Sequence, residues 1–161
     1  MSQDAFQDTY PDEYSHCYGC GRLNAEGLHL KSRWDGDESV AIIEPRPYFT
    51  GIPEFVYGGL LASLIDCHGT GTASAAAYRA AGRPMGSEPY LRFVTASLHV
   101  DFDKPTPMGV PLELRGRIQE IKDRKVVVNI TVAAEGEVVV RGEVVAVRIP
   151  DEMKSDSDDS A

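Results

Sequence analysis

The stretch from Gly58 to Ala81, GGLLASLIDCHGTGTASAAAYRAA, is the longest helix-compatible segment of this 161-residue chain. Leu61, Leu64, Ile65 and His68 recur at the spacing of one helical face, and small residues fill most other positions. Gly69 and Gly71 each weaken an isolated helix by about 1 kcal/mol relative to Ala, so burial has to hold this one together. Gly82-Arg83-Pro84 ends it.

On the C-terminal side the chain reads as strand after strand. Val94, Ala96, Leu98, Val100 and Phe102 alternate with Thr95, Ser97, His99, Asp101 and Asp103, which places the two sets on opposite faces. Further strands are expected over Leu112 to Ile121, Val126 to Val132 and Val138 to Ile149, with turns at Lys122-Asp123-Arg124 and Glu135-Gly136. On the N-terminal side, Leu28 to Trp34 and Ser39 to Glu44 read as a hairpin about Asp35-Gly36-Asp37. A loop rich in Pro and aromatic residues then leads to the helix. The order β-β-α-β-β-β-β specifies an α+β unit, a mostly antiparallel sheet with one long buried helix laid across it. Its edge strands need cover, and pairing two copies edge to edge supplies it, so at least a dimer is expected.

Hydrophobic residues make up 42% of the chain, enough for a core. Sixteen Lys and Arg against 25 Asp and Glu leave a net charge of −9, which repels a nucleic-acid duplex. No apolar run is long enough to span a membrane, and the first ten residues lack the apolar region of a secretory leader. Three cysteines, Cys17, Cys20 and Cys67, cannot all pair within one chain; with the absent leader, this points to a reducing, cytoplasmic setting. Residues 1–15 read as a polar, flexible tail and residues 151–161 as an acidic, disordered one; the folded domain is placed at 16–150.

Within that domain, Tyr57-Gly58-Gly59-Leu60-Leu61-Ala62-Ser63-Leu64-Ile65-Asp66 resembles the His-Gly-Gly…Asp signature of hotdog-fold acyl-CoA thioesterases of the PaaI-like type, with the acid at the family spacing. Val94 to Leu98 followed by Asp101-Phe102-Asp103-Lys104-Pro105 is similar to the family strand after the helix. Cys17-Tyr18-Gly19-Cys20-Gly21…Asn24…Gly27-Leu28 is similar to the opening segment of one branch. The resemblance implies the hotdog fold, a curved antiparallel sheet of about six strands wrapped around one long central helix. It also implies an acyl-CoA substrate, a homodimer or dimer of dimers, an oxyanion-binding N–H at Gly58, a catalytic Asp66, and a Thr95 hydroxyl that orients water or the acid.

Chemistry supports a site here. A helix-start amide is an orphan donor at the positive end of the dipole, and Gly58 and Gly59 let a substrate approach without a Cβ. The same pair could equally serve close packing. Asp66, flanked by Leu64, Ile65 and Cys67, needs a partner or a task if it is buried; it could act as nucleophile or as general base. Gly58 and Asp66 are eight residues apart, roughly 12 Å along one helix. One acyl carbon cannot meet both from the same helix, which favours a composite site joining Gly58 of one subunit to Asp66 of its partner. By itself Thr95 is also an ordinary strand residue.

Two positions depart from the family pattern: Tyr57 stands in the His slot, and Gly51 stands where an upstream Asn is usual. Tyr57 could donate a hydrogen bond or pack on an acyl chain; His68 is a second candidate for the substrate site, or a buried structural histidine. Lys104, Arg115, Arg117, Lys122, Arg124 and Lys125 read as a basic patch for the nucleotide end of coenzyme A, or as solvated strand faces. Cys17 and Cys20, with His16 beside them and Cys67-His68 elsewhere, have the residue types of a zinc site. Without a second CxxC pair the segment reads rather as a Gly-rich turn with buried thiols, and neither metal nor cofactor is expected. Three functions fit these residues: thioester hydrolysis on CoA or an acyl-carrier protein, a non-catalytic acyl-CoA-binding hotdog module suggested by Tyr57, and a hotdog hydratase that would need His68 beside the acid.

Overall fold

Period-two alternation of Val and Ile builds the sheet. The computed structural model of the chain describes residues 4–150, so the acidic segment 151–161 lies outside the described residues. The strands are β1 (Arg33–Asp35), β2 (Glu38–Ile43), β3 (Phe93–Phe102), β4 (Leu112–Lys122), β5 (Lys125–Ala134) and β6 (Glu137–Arg148). They form one antiparallel six-stranded sheet in the order β1-β2-β4-β5-β6-β3, curved around the helix α1 (Gly58–Ala80). This is the hotdog arrangement expected above. None of the described helices is long and apolar enough to cross a membrane.

The two interior glycines of α1 mark two contact planes. A Cβ on Gly69 would lie 2.5 Å from Val144 Cγ2, so the helix meets β6 backbone to side chain there. A Cβ on Gly71 would lie 2.9 Å from Gln7 Nε2 and 3.4 Å from the Tyr10 hydroxyl. Two residues apart on a helix is about 200°, so these contacts lie on nearly opposite faces. The sheet covers one side of α1 and the N-terminal segment covers the other. Tertiary burial thus outweighs the glycines' poor helix propensity.

That second layer corrects the expectation of a flexible tail. Phe6–Thr9 and Asp12–Tyr14 form 3-10 turns, and Phe6 is only 3% exposed. The Phe6 N–H donates to the Ser32 carbonyl at 2.8 Å, and the Phe6 ring meets Trp34 edge-on. The first strand also differs, reaching only Arg33–Asp35 rather than starting at Leu28. Leu28 and Leu30 donate instead to the carbonyls of Tyr18 and Gly19, at 2.8 and 3.0 Å, and His29 takes φ 55°. Residues 28–32 therefore close the cysteine loop instead of extending the sheet.

The alternation of β3 is broken by a bulge at Ala96. Thr95 pairs with Ala146 but Ser97 with Val145, so Leu98 pairs with Val144, Val100 with Gly142 and Phe102 with Val140. Thr95 consequently shares the helix-facing side with Leu98, Val100 and Phe102, not the opposite side expected from alternation alone. As β3 is an edge strand, Leu98 and Phe102 stay 40% and 54% exposed.

His68 belongs to the core, not to a substrate site. It is fully buried, with Nδ1 2.8 Å from Ser32 Oγ and Nε2 3.0 Å from Ser39 Oγ. Ser39 Oγ lies 2.6 Å from Thr72 Oγ1, and the Ser32 N–H donates to Gln7 Oε1 at 2.8 Å. The chain Gln7–Ser32–His68–Ser39–Thr72 ties the N-terminal segment, β2 and α1 through satisfied polar groups. Burial pushes the His68 imidazole down to about 4 from its ordinary 6.5, against a weaker opposing hydrogen bond from Ser39.

The unfolded chain takes up a proton near 6.5 and the folded chain near 4, so the penalty accumulates as pH falls through that window. The cost reaches on the order of 3 kcal/mol. Urea unfolding from pH 7.5 to 4 should show this loss, with a shallower slope for His68→Gln; an identical slope would assign the acid sensitivity to other groups. Gly69→Ala should destabilise by about 1–3 kcal/mol through overpacking against Val144, read as a lowered urea midpoint at unchanged m-value.

Candidate active site

The Pro and aromatic loop before α1 is pinned at three points: the Val56 N–H donates to the Thr106 carbonyl (2.9 Å), the Tyr57 N–H to Phe49 (3.0 Å), and the Met108 N–H to Glu54 (2.9 Å). These contacts aim the chain into the helix at Gly58, with Tyr57 as an extended N-cap residue that makes no side-chain cap. The N–H groups of Gly58 and Gly59 have no acceptor among the described residues, as befits first-turn amides. The Tyr57 ring folds back over Gly59, where a Cβ would lie 2.5 Å from the ring. Phe102 reaches the same helix start, 3.3 Å from a Cβ built on Gly58.

Two turns further along, Asp66 is half-buried and accepts a hydrogen bond from the Thr95 hydroxyl through Oδ1. The β3 bulge makes this pairing possible, since it turns Thr95 toward α1. Asp66 and Thr95 border a cavity of about 280 Å³. Its walls carry Tyr10, Tyr14, Tyr78, Tyr90, Leu91 and Phe93, and the three cysteines line it beside Asp66. Tyr14 and Tyr90 meet edge-on, and the Arg92 guanidinium lies 3.9 Å from the Tyr14 ring centroid. The Tyr78 hydroxyl is held between the Leu91 N–H and the Ser87 carbonyl, which it faces at 3.1 and 2.9 Å.

Several expected site residues do not join this arrangement. His68 faces the core network described above. Lys104 follows β3 at the helix-start end of the sheet and pairs with Glu137, whereas Arg124 and Lys125 sit at the β4–β5 turn, at the opposite end. These residues form no single basic patch on the chain, because β3 and β5 each run ten residues between those two ends. Most of its members are also neutralised: Lys125 by Glu120, Arg117 by Glu38, and Arg115 by Glu113, Asp35 and Glu38. The Glu113, Asp35 and Glu38 carboxylates raise the Arg115 guanidinium above its usual range.

The sequence reading missed Tyr10, Tyr14 and Arg92. The signal was present: Phe6, Tyr10 and Tyr14 recur every four residues in a segment otherwise polar, a pattern that a solvated tail has no reason to hold. Arg92 joins Arg124 at one end of the sheet. The Ile149 N–H donates to the Arg92 carbonyl at 2.9 Å and the Arg148 N–H to the Arg124 carbonyl at 2.8 Å.

Comparison with known proteins agrees with the fold. The family model described as the thioesterase superfamily matches residues 54–141. A thioesterase superfamily protein from Shewanella loihica, known from its crystal structure, is 50% identical; the match covers 88% of this chain and 100% of that one, with TM-score 0.67. The PaaI protein of the E. coli phenylacetic acid degradation operon shares the fold at 17% identity and TM-score 0.62, covering 76% of this chain and 81% of that one. Acyl-coenzyme A thioesterase THEM4 of Xenopus laevis is 28% identical over 110 residues, 68% of this chain and 44% of the relative. The chain thus spans less than half the length of that curated relative.

Proposed function

The chain belongs to the thioesterase superfamily, and from that premise we propose that it hydrolyses an acyl-CoA thioester to the free acid and CoA. The observation that carries this reading is Asp66, half-buried on α1, held by the Thr95 hydroxyl at the edge of an aromatic cavity. A carboxylate held by a hydroxyl at the edge of a cavity is placed to act on a group bound there. The name of the THEM4 relative points to the same substrate class.

In this mechanism the acyl group enters the cavity, whose volume lies at the small end of ligand pockets and suits a short or planar chain. The thioester oxygen accepts from the Gly58 N–H at the helix start, with Gly59 leaving room for its approach. Asp66 acts as nucleophile or as general base toward water, and Thr95 holds the carboxylate in place. Water supplies the hydroxyl of the product acid, the C–S bond breaks, and the CoA thiolate takes up a proton. Arg92 and Arg124, gathered at one end of the sheet, receive the CoA phosphates; Lys125 and Lys104 are left as surface ion pairs with Glu120 and Glu137.

Gly58 and Asp66 of one protomer stand roughly 12 Å apart along α1, so the oxyanion donor comes from a second copy. The unpaired edge of β3 supports a homodimer, as do the exposed Leu98, Phe102 and Tyr57 around it. The hydratase reading relied on His68, which lies in the core network. The non-catalytic reading has one observation in its favour, the Tyr57 ring lying over Gly59 where the family carries His. Under it the protein binds acyl-CoA without turnover.

Thiol release measured over a panel of aliphatic and aromatic acyl-CoAs separates these readings. Turnover is expected, with kcat reduced about 10²–10⁴-fold in Asp66→Asn and its circular dichroism and sedimentation unchanged. Wild-type turnover in Asp66→Asn would remove Asp66 as the catalyst, while binding without turnover across the whole panel would favour the non-catalytic module. Leu98→Asp, placed on the β3 edge, should yield a monomer that has lost hydrolysis; a fully active monomer rules out the composite site.

A further inference from the structure

The structure brings together three sulfurs that lie far apart in sequence. The Sγ atoms of Cys17, Cys20 and Cys67 all lie within 4.8 Å of one another, and Cys17 and Cys67 are 3.7 Å apart. Two come from the loop after the N-terminal turns and the third from the middle of α1. An ion that binds thiolates tetrahedrally at about 2.3 Å spaces its sulfurs about 3.8 Å apart. The Cys17–Cys67 separation is already that of a coordination edge.

The loop is shaped for this convergence. A Cβ on Gly19 would lie 2.3 Å from Cys67 Sγ, so only glycine lets the third thiol approach. A Cβ on Gly21 would lie 2.4 Å from the Cys17 nitrogen and 2.5 Å from the Ser15 carbonyl, so the tight return of the chain after Cys20 also requires glycine. The Gly21 N–H donates to the Cys17 carbonyl at 2.8 Å, and Leu28 and Leu30 clamp the loop from outside. Cys17 Sγ and Cys67 Sγ face each other at 3.7 Å, with Cys20 Sγ beside them. A bound cation would displace the thiol protons.

We propose that Cys17, Cys20 and Cys67 bind zinc as three thiolates, in a tetrahedral site whose fourth position is taken by water or an exogenous donor. His68, one of the two histidines the sequence places beside these cysteines, is committed to Ser32 and Ser39 and takes no part. The ion would fasten the N-terminal segment to α1 at the residue next to Asp66, and so hold the cavity wall that carries Tyr10 and Tyr14. Zinc binding at this site stands independently of hydrolysis.

The test uses the full chain, reduced, stripped with a chelator and titrated with cobalt(II), then with zinc. A thiolate-to-cobalt charge-transfer band should saturate at one ion per chain and be displaced by zinc, and zinc should raise the Tm. Cys17→Ser and Cys67→Ser should each weaken binding by more than the roughly 10–100-fold that loss of an outer-shell partner costs, whereas His16→Ala should leave it unchanged. Because Cys67 is buried, Cys17→Ser in the partly exposed loop decides the matter if the Cys67 variant fails to fold. No charge-transfer band in the natively folded, reduced chain overturns the proposal, and so does a band that survives in Cys17→Ser.

Discussion

Gly69 against Val144 and Gly71 against Gln7 set the two planes between which α1 lies. Each contact removes a side chain so that backbone can approach a neighbouring layer, and each costs intrinsic helix stability. The return is a helix buried on two sides, which no single amphipathic stripe would achieve. Such burial leaves few directions open to a polar side chain. His68 and Thr72 turn into a network of serines, and Asp66 emerges between the layers, where β3 and the N-terminal segment leave a cavity.

The geometry around Asp66 depends on one irregularity in an otherwise regular ladder. A perfectly alternating β3 would direct Thr95 away from the helix and leave the carboxylate without its hydroxyl partner. The extra residue at Ala96 changes the phase of the strand, so that Thr95 and Leu98 share the inner face. Past the bulge the strand runs alongside the first turns of α1, where Phe102 meets Gly58, and because β3 is the unpaired edge Leu98 and Phe102 stay partly exposed. The bulge thus supplies the acid's hydroxyl partner, and the strand's place at the sheet edge supplies the exposed apolar surface.

Much of the fold is legible along the chain. Five of the six strands and the helix begin or end within about two residues of where periodicity and turn chemistry put them, because these signals are local. The first strand is the exception: His29 leaves the extended region, and the cysteine loop takes the hydrogen bonds of Leu28 and Leu30. The N-terminal segment was misread for a related reason. Its apolar side chains are few and their partners lie on α1 and β1, so composition alone resembled a solvated tail.

By itself the sequence determined the class of the fold, the place where the helix starts, and the presence of an acid within it, since each follows from residues adjacent in the chain. Tertiary structure alone decided which groups meet that acid. The pairing of Thr95 with Asp66, the gathering of Cys67 with Cys17 and Cys20, and the separation of Lys104 from Arg124 all join or part residues distant in sequence. Periodicity reports which face a residue occupies but carries no information on what stands opposite that face; only the packing of whole layers supplies it.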